Sequence, residues 1–178
     1  MKIKALPDLG YLRECFEYDR RAGRLWWKKR PLAHFVDRSS YHKWNARYAG
    51  KEAFTANSHG YRVGAVDGGM YPAHRIIWKL EHGDDPAGQL DHKSRNKAFN
   101  GVKNLRPTTH SLNCFNQGKH SKLPGGRKGV RWRPDKGRWY AHIGVGNKQL
   151  FLGSFTSFRA ARAARQAAEL LHFGEYAA

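Results

Sequence analysis

Residues 89–117, QLDHKSRNKAFNGVKNLRPTTHSLNCFNQ, concentrate carboxylate, imidazole and carboxamide groups in a run with little apolar material. Asp91 and His92 are adjacent, and five asparagines follow them. Asp is a hard oxygen donor that suits Mg²⁺, neutral His can take a proton from water, and Asn adds an oxygen ligand without charge. Hydrolysis of a phosphodiester needs a base that activates water and a cation that stabilises the developing negative charge. The run therefore contains the groups for this chemistry.

The backbone limits how these groups can meet. Successive side chains of a strand point to opposite faces, so Asp91 and His92 serve one site only if the strand end is irregular or a metal draws in the carboxylate. Several asparagines also have a plainer interpretation, as turn residues or as surface residues of a helix. These are Asn100, Asn104, Asn113 and Asn116.

Short apolar segments that alternate with turn signals predict a small α+β scaffold over residues 1–68. A helix is predicted next, because Ile76, Ile77 and Leu80 fall on one helical face. His74 at its start is ambiguous, and structural packing beneath the site is favoured over a chemical role. The predicted scaffold elements are a helix with Leu12, Cys15 and Phe16, a turn at Ala22-Gly23, a strand over residues 25–27 and a hairpin turning at Asp67-Gly68.

The C-terminal part predicts a three-stranded antiparallel sheet and one helix. The strands are expected over residues 130–133, 138–143 and 149–152. The helix face is expected to carry Phe158, Ala161, Ala164 or Arg165, Ala168 and Leu171, with Gly174 ending the helix. The open sheet face is expected to carry some of Arg131, Arg133, Arg138 and Trp139, with Trp132 close by. Such a ribbon can enter a DNA major groove; the alternative is that the tryptophans are core and the arginines a solvated face.

The charge balance indicates the kind of partner. The 178 residues include 33 Lys and Arg against 14 Asp and Glu, a net charge of +19, which attracts polyanions. Nucleic acid is favoured over a membrane surface or an acidic protein. No apolar run is long enough to span a bilayer, and the start MKIKALPDLGYLRECF lacks the apolar core of a signal peptide, which predicts an intracellular protein. Cys15 and Cys114 cannot make a four-thiolate zinc site and are expected to be ordinary thiols.

The joint spacing of these motifs resembles a known family. The string LDHKSRNKAFNGVKNLRPTTHSLNCFNQ is similar to the HNH, or His-Me finger, nucleases of the phage and intron homing-endonuclease branch. AHRIIWKLEHGDDP, YDRRAGRLWWKKR and WNARYAGKEA look like what precedes the motif in that branch. The tail beginning GVRWRPDKGRWYAHI resembles the AP2 DNA-binding domain that accompanies many of these nucleases. Arg95-Asn96 stands where that family often has Gly-Asp or Gly-Asn, and Gly101 stands where an Arg is common.

The resemblance implies a role for each matching residue. His92 matches the general base that deprotonates the attacking water. Asp91 matches a metal ligand, and Asn113 looks like the second protein ligand, with Asn116 the weaker candidate. Asn104 matches an asparagine that holds the loop and orients the His without touching the metal.

DNA contacts and domain boundaries are implied in the same way. Arg106 is expected to contact phosphate, Asn100 to hydrogen-bond within the loop, and Arg95 to take over a phosphate contact. Further DNA contacts are expected from Arg127, Lys128, Arg131, Trp132, Arg133, Arg138 and Trp139. The expected domains are a scaffold over 1–68, a ββα-metal (His-Me) finger over 69–117, a basic flexible linker over 118–128 and an AP2-like domain over 129–178.

Together these features predict an α+β protein that acts as a metal-dependent, site-selective DNA endonuclease of the homing type. Mg²⁺ is the expected cofactor, Mn²⁺ is expected to substitute for it, and neither zinc nor a small-molecule cofactor is expected. The protein is expected to act on double-stranded DNA as a monomer, away from membranes, in the cytoplasm of the bacterial host of a phage. The alternative is a non-catalytic, sequence-specific DNA-binding or regulatory protein in which the finger is only structural.

Overall fold

The computed structural model describes residues 4–109, 112–113, 128–146 and 148–176. The chain divides into two compact parts, unit 1 (Met1–Thr108) and unit 2 (Thr109–Ala178). Each unit combines helices with small antiparallel sheets, which confirms the predicted α+β class. Within the described ranges, every helix is too short or too polar to cross a membrane.

Unit 1 begins with helix α1 (Leu9–Cys15), whose N-terminus is capped because the Asp8 carboxylate accepts from the backbone N–H groups of Gly10 and Tyr11. The next elements are β1 (Phe16–Asp19), β2 (Arg24–Trp27), α2 (Arg38–Tyr48), β3 (Glu52–Ala53), β4 (Ala56–Ser58), β5 (Tyr61–Val66), β6 (Gly69–Pro72), α3 (Ala73–His82), β7 (Gln89–His92) and β8 (Leu105–Thr108). The strands form three antiparallel sheets in the orders β1-β2-β3, β4-β5-β6 and β7-β8. The predicted short helix is therefore present, but Phe16 belongs to the strand that follows it.

One apolar core holds these elements together. Leu12 of α1, Leu25 of β2, and Ile76 and Ile77 of α3 are fully buried in it, and Leu105 of β8 joins the same cluster. Because the N-terminal elements and the helix before the Asp-His pair share this core, they form one packed body rather than two.

The predicted domain boundary between residues 68 and 69 falls inside a hairpin. Val66 pairs with Gly69 across the turn, as the sequence predicted for Asp67-Gly68. Both turn residues have positive φ, 45° at Asp67 and 75° at Gly68, which matches the tight turns preferred between antiparallel strands. Hairpin pairing and the shared core place both sides of the predicted boundary in unit 1.

The turn between β1 and β2 fixes the segment that leads into β8. Gly23 has φ 66°, and a Cβ at this position would lie 2.4 Å from the backbone nitrogen of Gly101. The Tyr18 hydroxyl accepts a hydrogen bond from the backbone N–H of Val102 at 3.1 Å. A glycine is required here because both the backbone conformation and the close approach exclude a side chain.

Unit 2 contains β9 (Val130–Arg133), β10 (Arg138–Val145), β11 (Lys148–Phe155) and α4 (Phe158–Phe173), with β10 in the middle of the sheet. Helix α4 covers one face of this sheet, where Val130, Ala141 and Ala161 are buried together. The predicted strands and helix are confirmed. Leu171 is 80 % exposed, however, and Phe173 takes the buried position at the end of the helix.

Candidate active site

The Asp-His pair ends strand β7, and strand β8 lies beside it. Asp91 stands opposite Arg106 in the antiparallel register, and His92 stands opposite Leu105. Residues 93–104, the site loop, connect the two strands. Asp91 is 6 % exposed and His92 is 3 % exposed, so neighbouring protein groups dominate the environment of both side chains.

The Asp91 carboxylate is held by Arg106. The Arg106 Nε donates to Asp91 Oδ2 at 2.9 Å, and Nη2 lies 2.8 Å from the same oxygen. Both residues are buried, and a buried charge is tolerated only when it is paired. The strand register directs the Arg106 guanidinium to Asp91, and the predicted phosphate contact of Arg106 stays a prediction.

The His92 ring is oriented by Asn100. Its Nε2 lies 2.9 Å from Asn100 Oδ1, and an amide oxygen can only accept, so Nε2 carries the proton of the neutral ring. Nδ1 then carries the lone pair that can take a proton from water. The resemblance had assigned the orienting role to Asn104 and a loop role to Asn100; the direct contact with His92 is made by Asn100.

Asn104 holds the site loop through its backbone and its side chain. Its Oδ1 accepts from the backbone N–H of Ser94 at 2.9 Å, and its Nδ2 donates to the carbonyl of Phe99 at 2.8 Å. Its carbonyl accepts from the N–H of Lys93, and its own N–H donates to the carbonyl of Gly101, both at 2.8 Å. Asn104 therefore ties the two ends of the loop together.

Arg95 takes a backbone conformation that usually belongs to glycine. Its φ is 62°, and its N–H donates to the carbonyl of His92 at 2.8 Å, which closes a tight turn directly after the Asp-His pair. Non-glycine residues are uncommon in this region of φ and ψ. The chain thus forms the turn at the position where the family often has glycine, and the Arg95 side chain is exposed.

Two buried histidines are neighbours in the site. The rings of His74 and His92 have centroids 5.2 Å apart, and Tyr61 lies against both. Burial lowers the pKa of His74 to about 3, with the charges of His92 and Arg75 acting in the same direction. Burial also lowers the pKa of His92, although the Asn100 hydrogen bond and the Asp91 charge oppose the shift. Both rings are therefore neutral near neutral pH, which suits a base.

Two polar atoms beside His92 make no hydrogen bond within the described part of the chain. They are His74 Nδ1 and Asn100 Nδ2, and both are buried. The nearness of His74 had no signal in the sequence, because the two histidines come from a helix and a strand that only the fold brings together. His74 lies directly against the candidate base, beneath the site as the preferred interpretation expected.

The metal predictions involve residues of both units. Asp91 supplies a buried carboxylate in unit 1, whereas Asn113 belongs to unit 2, where its backbone N–H donates to the carbonyl of Thr109 at 2.9 Å. Among residues 4–109, 112–113, 128–146 and 148–176, no group of three His, Cys, Asp or Glu side chains could hold a metal ion. The Asp91 and Asn113 metal site stays a prediction. Asn116, Arg127 and the predicted linker up to residue 127 lie outside the described residues.

The residues of unit 2 that were predicted to contact DNA lie on two different faces of its sheet. Arg131 stands opposite Tyr140 and Arg133 opposite Arg138, on the face away from α4. Arg131 and Arg138 are exposed, while the Arg133 guanidinium binds the Asp135 carboxylate at 2.9 Å and 3.0 Å. This face therefore carries three arginine side chains, of which Arg133 is paired with Asp135.

The tryptophans lie on the other side of the sheet. Trp139 packs on Phe158 of α4 with ring centroids 4.9 Å apart, and it belongs to the cluster under that helix. Some of Arg131, Arg133, Arg138 and Trp139 were expected on the open face, and Trp139 is not among those found there, because strand alternation turns it toward the helix. The alternative that the tryptophans are core describes Trp139. The Trp132 and Trp139 rings have centroids 5.4 Å apart, and Trp132 remains 43 % exposed. Sequence reasoning missed the aromatic residue Phe151 of the open face, which contacts Tyr140 and His142.

The comparisons with known proteins concern the segment that contains this site. Residues 71–113 match the model of a family described as HNH endonuclease. The matched segment includes α3, the Asp-His pair, the site loop and β8. Searches of curated proteins and of solved structures gave no match. The family match supports an HNH nuclease, which acts on nucleic acid.

Proposed function

We propose that this chain is a metal-dependent, site-selective DNA endonuclease of the homing type, in which His92 is the general base. The contact that carries this proposal is the hydrogen bond between His92 Nε2 and Asn100 Oδ1. It leaves the basic lone pair on Nδ1, in a ring whose pKa is lowered by burial. A neutral, oriented imidazole next to a buried carboxylate is what water activation needs.

The two proposed metal ligands are oxygen donors, which suit a hard divalent cation. The Asp91 carboxylate and the Asn113 carboxamide both offer oxygen ligands, which Mg²⁺ prefers and Mn²⁺ accepts. Such a cation would stabilise the negative charge on the phosphate and on the leaving oxygen. Arg106 holds one oxygen of Asp91, so it fixes the direction of the carboxylate and acts as a positioning residue.

Unit 2 is proposed to bind the DNA as an AP2-like domain and to select where the cut occurs. Arg131 and Arg138 are exposed on the sheet face opposite α4, and Lys128 is exposed directly before the first strand. Arginines on a narrow antiparallel ribbon can contact phosphates and guanine edges in the major groove. The net charge of +19 supports a nucleic acid partner for the whole chain.

Incubation of the purified protein with supercoiled plasmid, in Mg²⁺ or in EDTA, tests the proposal. We expect conversion to nicked or linear DNA in Mg²⁺ and none in EDTA. Nicked product alone would mean that one chain makes one cut. A mobility shift without cleavage in Mg²⁺ or Mn²⁺ would contradict the proposal and favour a DNA-binding regulator.

A further inference from the structure

Unit 1 contains a second concave site, whose lining includes no residue of β7, the site loop or β8. It encloses about 570 Å³ between α2 and the strands β3 to β5. We call it the aromatic cavity and define it by Trp27, Arg30, Phe35, Trp44 and Tyr48, which all line it. Its volume lies within the range of small-molecule sites.

The aromatic rings of the cavity position one another. Trp44 stands edge-on to Trp27 with centroids 4.9 Å apart, and it also contacts Tyr48 at 5.1 Å and Phe35 at 5.8 Å. Trp44 and Tyr48 come from α2, one turn apart, while Trp27 comes from β2. The cavity therefore offers several flat apolar faces that are held by mutual contact.

The cation of the cavity is buried and already neutralised. Arg30 is 4 % exposed, its guanidinium lies 4.9 Å from the Trp44 ring and 5.1 Å from the Phe35 ring, and its Nη2 is 2.9 Å from Asp67 Oδ1. Its backbone N–H donates to Asn45 Oδ1 at 2.9 Å, which ties α2 to the cavity. Because Asp67 balances Arg30, the cavity suits a neutral aromatic ring better than an anion.

The helix that forms one wall carries only positive charge. The sequence of α2, RSSYHKWNARY, contains no Asp or Glu. Arg38, Lys43 and Arg47 are exposed, and the Arg47 guanidinium lies 5.3 Å from the Tyr48 ring. A phosphate beside Tyr48 would therefore meet the Arg47 guanidinium next to the aromatic faces.

We propose that the aromatic cavity binds one unstacked nucleobase of the DNA, with an adjoining phosphate at Arg47 of α2. This inference rests on the proposed function in that DNA is the ligand. Apolar aromatic faces bind bases of any sequence by stacking, and cations nearby hold the backbone. The cavity would hold the substrate through unit 1 itself, independently of the sheet of unit 2.

Photocross-linking tests the cavity directly. The full chain with His92→Ala, which keeps the DNA intact, is irradiated with a single-stranded oligothymidylate in which 5-iodouracil replaces thymine. Cross-linked peptides are identified by mass spectrometry. We expect Trp44 or Tyr48 among the cross-linked residues, and we expect competition by unmodified oligothymidylate but not by an abasic oligonucleotide of the same length.

Three variants of the His92→Ala chain serve as comparisons. Trp44→Leu and Tyr48→Leu should each lower the affinity for the oligothymidylate about tenfold, as expected for loss of one stacking contact. Trp78→Phe is the matched control, because Trp78 lies on α3 and stacks on His82 at 3.8 Å, away from the cavity lining. Tyr48 is only partly buried, so its replacement tests the site even if Trp44→Leu fails to fold.

The outcomes separate this inference from the nuclease proposal. Absence of cross-links at Trp44 and Tyr48, equal affinities in Tyr48→Leu and Trp78→Phe, or equal competition by the abasic oligonucleotide would overturn the base site. Plasmid cleavage by the parent chain is measured independently. Cross-linking at the cavity without cleavage would uphold the base site and reject the nuclease, and cleavage without cross-linking at the cavity would do the reverse.

Discussion

Arg106 in unit 1 and Arg138 in unit 2 both lie on antiparallel strands, yet they have opposite environments. Arg106 faces Asp91 across the sheet and is buried against it. Arg138 faces Arg133 and is exposed. The residue across the strand, rather than the side chain itself, therefore decides whether an arginine is buried in an ion pair or exposed to solvent.

The two regions should therefore respond differently to substitution. In the candidate active site, hydrogen bonds join two buried pairs, His92 with Asn100 and Arg106 with Asp91. A change there leaves an unsatisfied polar group in a low-dielectric interior. On the open face of unit 2, a lost side chain is replaced by water.

The largest expected effect is on stability. Arg106→Ala removes one partner of a buried ion pair and should lower the free energy of unfolding by about 3–5 kcal/mol. Arg138→Ala should change it by less than about 0.5 kcal/mol, as for other surface positions. Urea denaturation of both variants measures the difference. Equal losses in the two variants would mean that the Asp91 and Arg106 pair does not have the environment described.

The next largest effects are those of replacing Asn100 and Asn104, two asparagines of the site loop with different expected roles. Asn100→Ala removes the acceptor that orients His92 and should slow single-turnover cleavage by about 100-fold, within the range of a general base. It should also lower the free energy of unfolding, because the buried His92 Nε2–H loses its acceptor. Asn104→Ala removes the side chain that holds the loop and should lower the free energy of unfolding by about 1–3 kcal/mol. Cleavage rates at saturating protein, together with urea denaturation, check both. Unchanged cleavage in Asn100→Ala would show that its contact with His92 has no role in the reaction.

A smaller effect concerns pH. Burial lowers the pKa of His74 to about 3 in the folded protein, from its ordinary value of 6.5. At a pH between these two pKa values, His74 is protonated in the unfolded chain and neutral in the folded chain. The free energy of unfolding should therefore fall as the pH is lowered, by up to about 2 kcal/mol from this residue between pH 7 and pH 5. Urea denaturation at both pH values should show a weaker pH dependence in His74→Gln. An identical dependence in the variant would contradict the buried neutral imidazole.

The smallest expected effect is on DNA affinity. The double substitution Arg131→Ala and Arg138→Ala removes two exposed cations of unit 2 and should weaken binding about tenfold. The slope of log affinity against log salt should fall by about 2. Binding titrations at several salt concentrations measure both. Cleavage at saturating DNA should be unaffected, and a loss of cleavage at saturation would mean that the open face contributes to the reaction itself.

Local pattern was sufficient for much of the fold. Alternation and turn residues placed the hairpin at Asp67-Gly68 and the strands and helix of unit 2, because these features depend on neighbours in the chain. The candidate site was predicted from a resemblance to the HNH nucleases, which the joint spacing of the Asp91-His92 pair and the asparagines after it carried.

What the sequence could not supply depends on contacts between distant segments. The register of β7 and β8 pairs Arg106 with Asp91. The spacing of residues within one segment does not predict that register. The approach of His74 to His92 and the packing of Trp139 against Phe158 likewise follow from tertiary structure. The aromatic cavity also brings together β2, α2 and the strands β3 to β5, which are separate elements of the chain.

Measurement of cleavage and binding by His92→Ala on the same DNA tests whether His92 is the general base. We expect the variant to lose cleavage in Mg²⁺ by at least about 100-fold, while its dissociation constant stays close to that of the parent chain. Its urea midpoint should fall but the variant should still fold, because loss of the buried imidazole leaves Asn100 Oδ1 without its partner. Cleavage at the parent rate would contradict the claim that His92 is the base. Unfolding of the variant would show that this histidine holds the core instead.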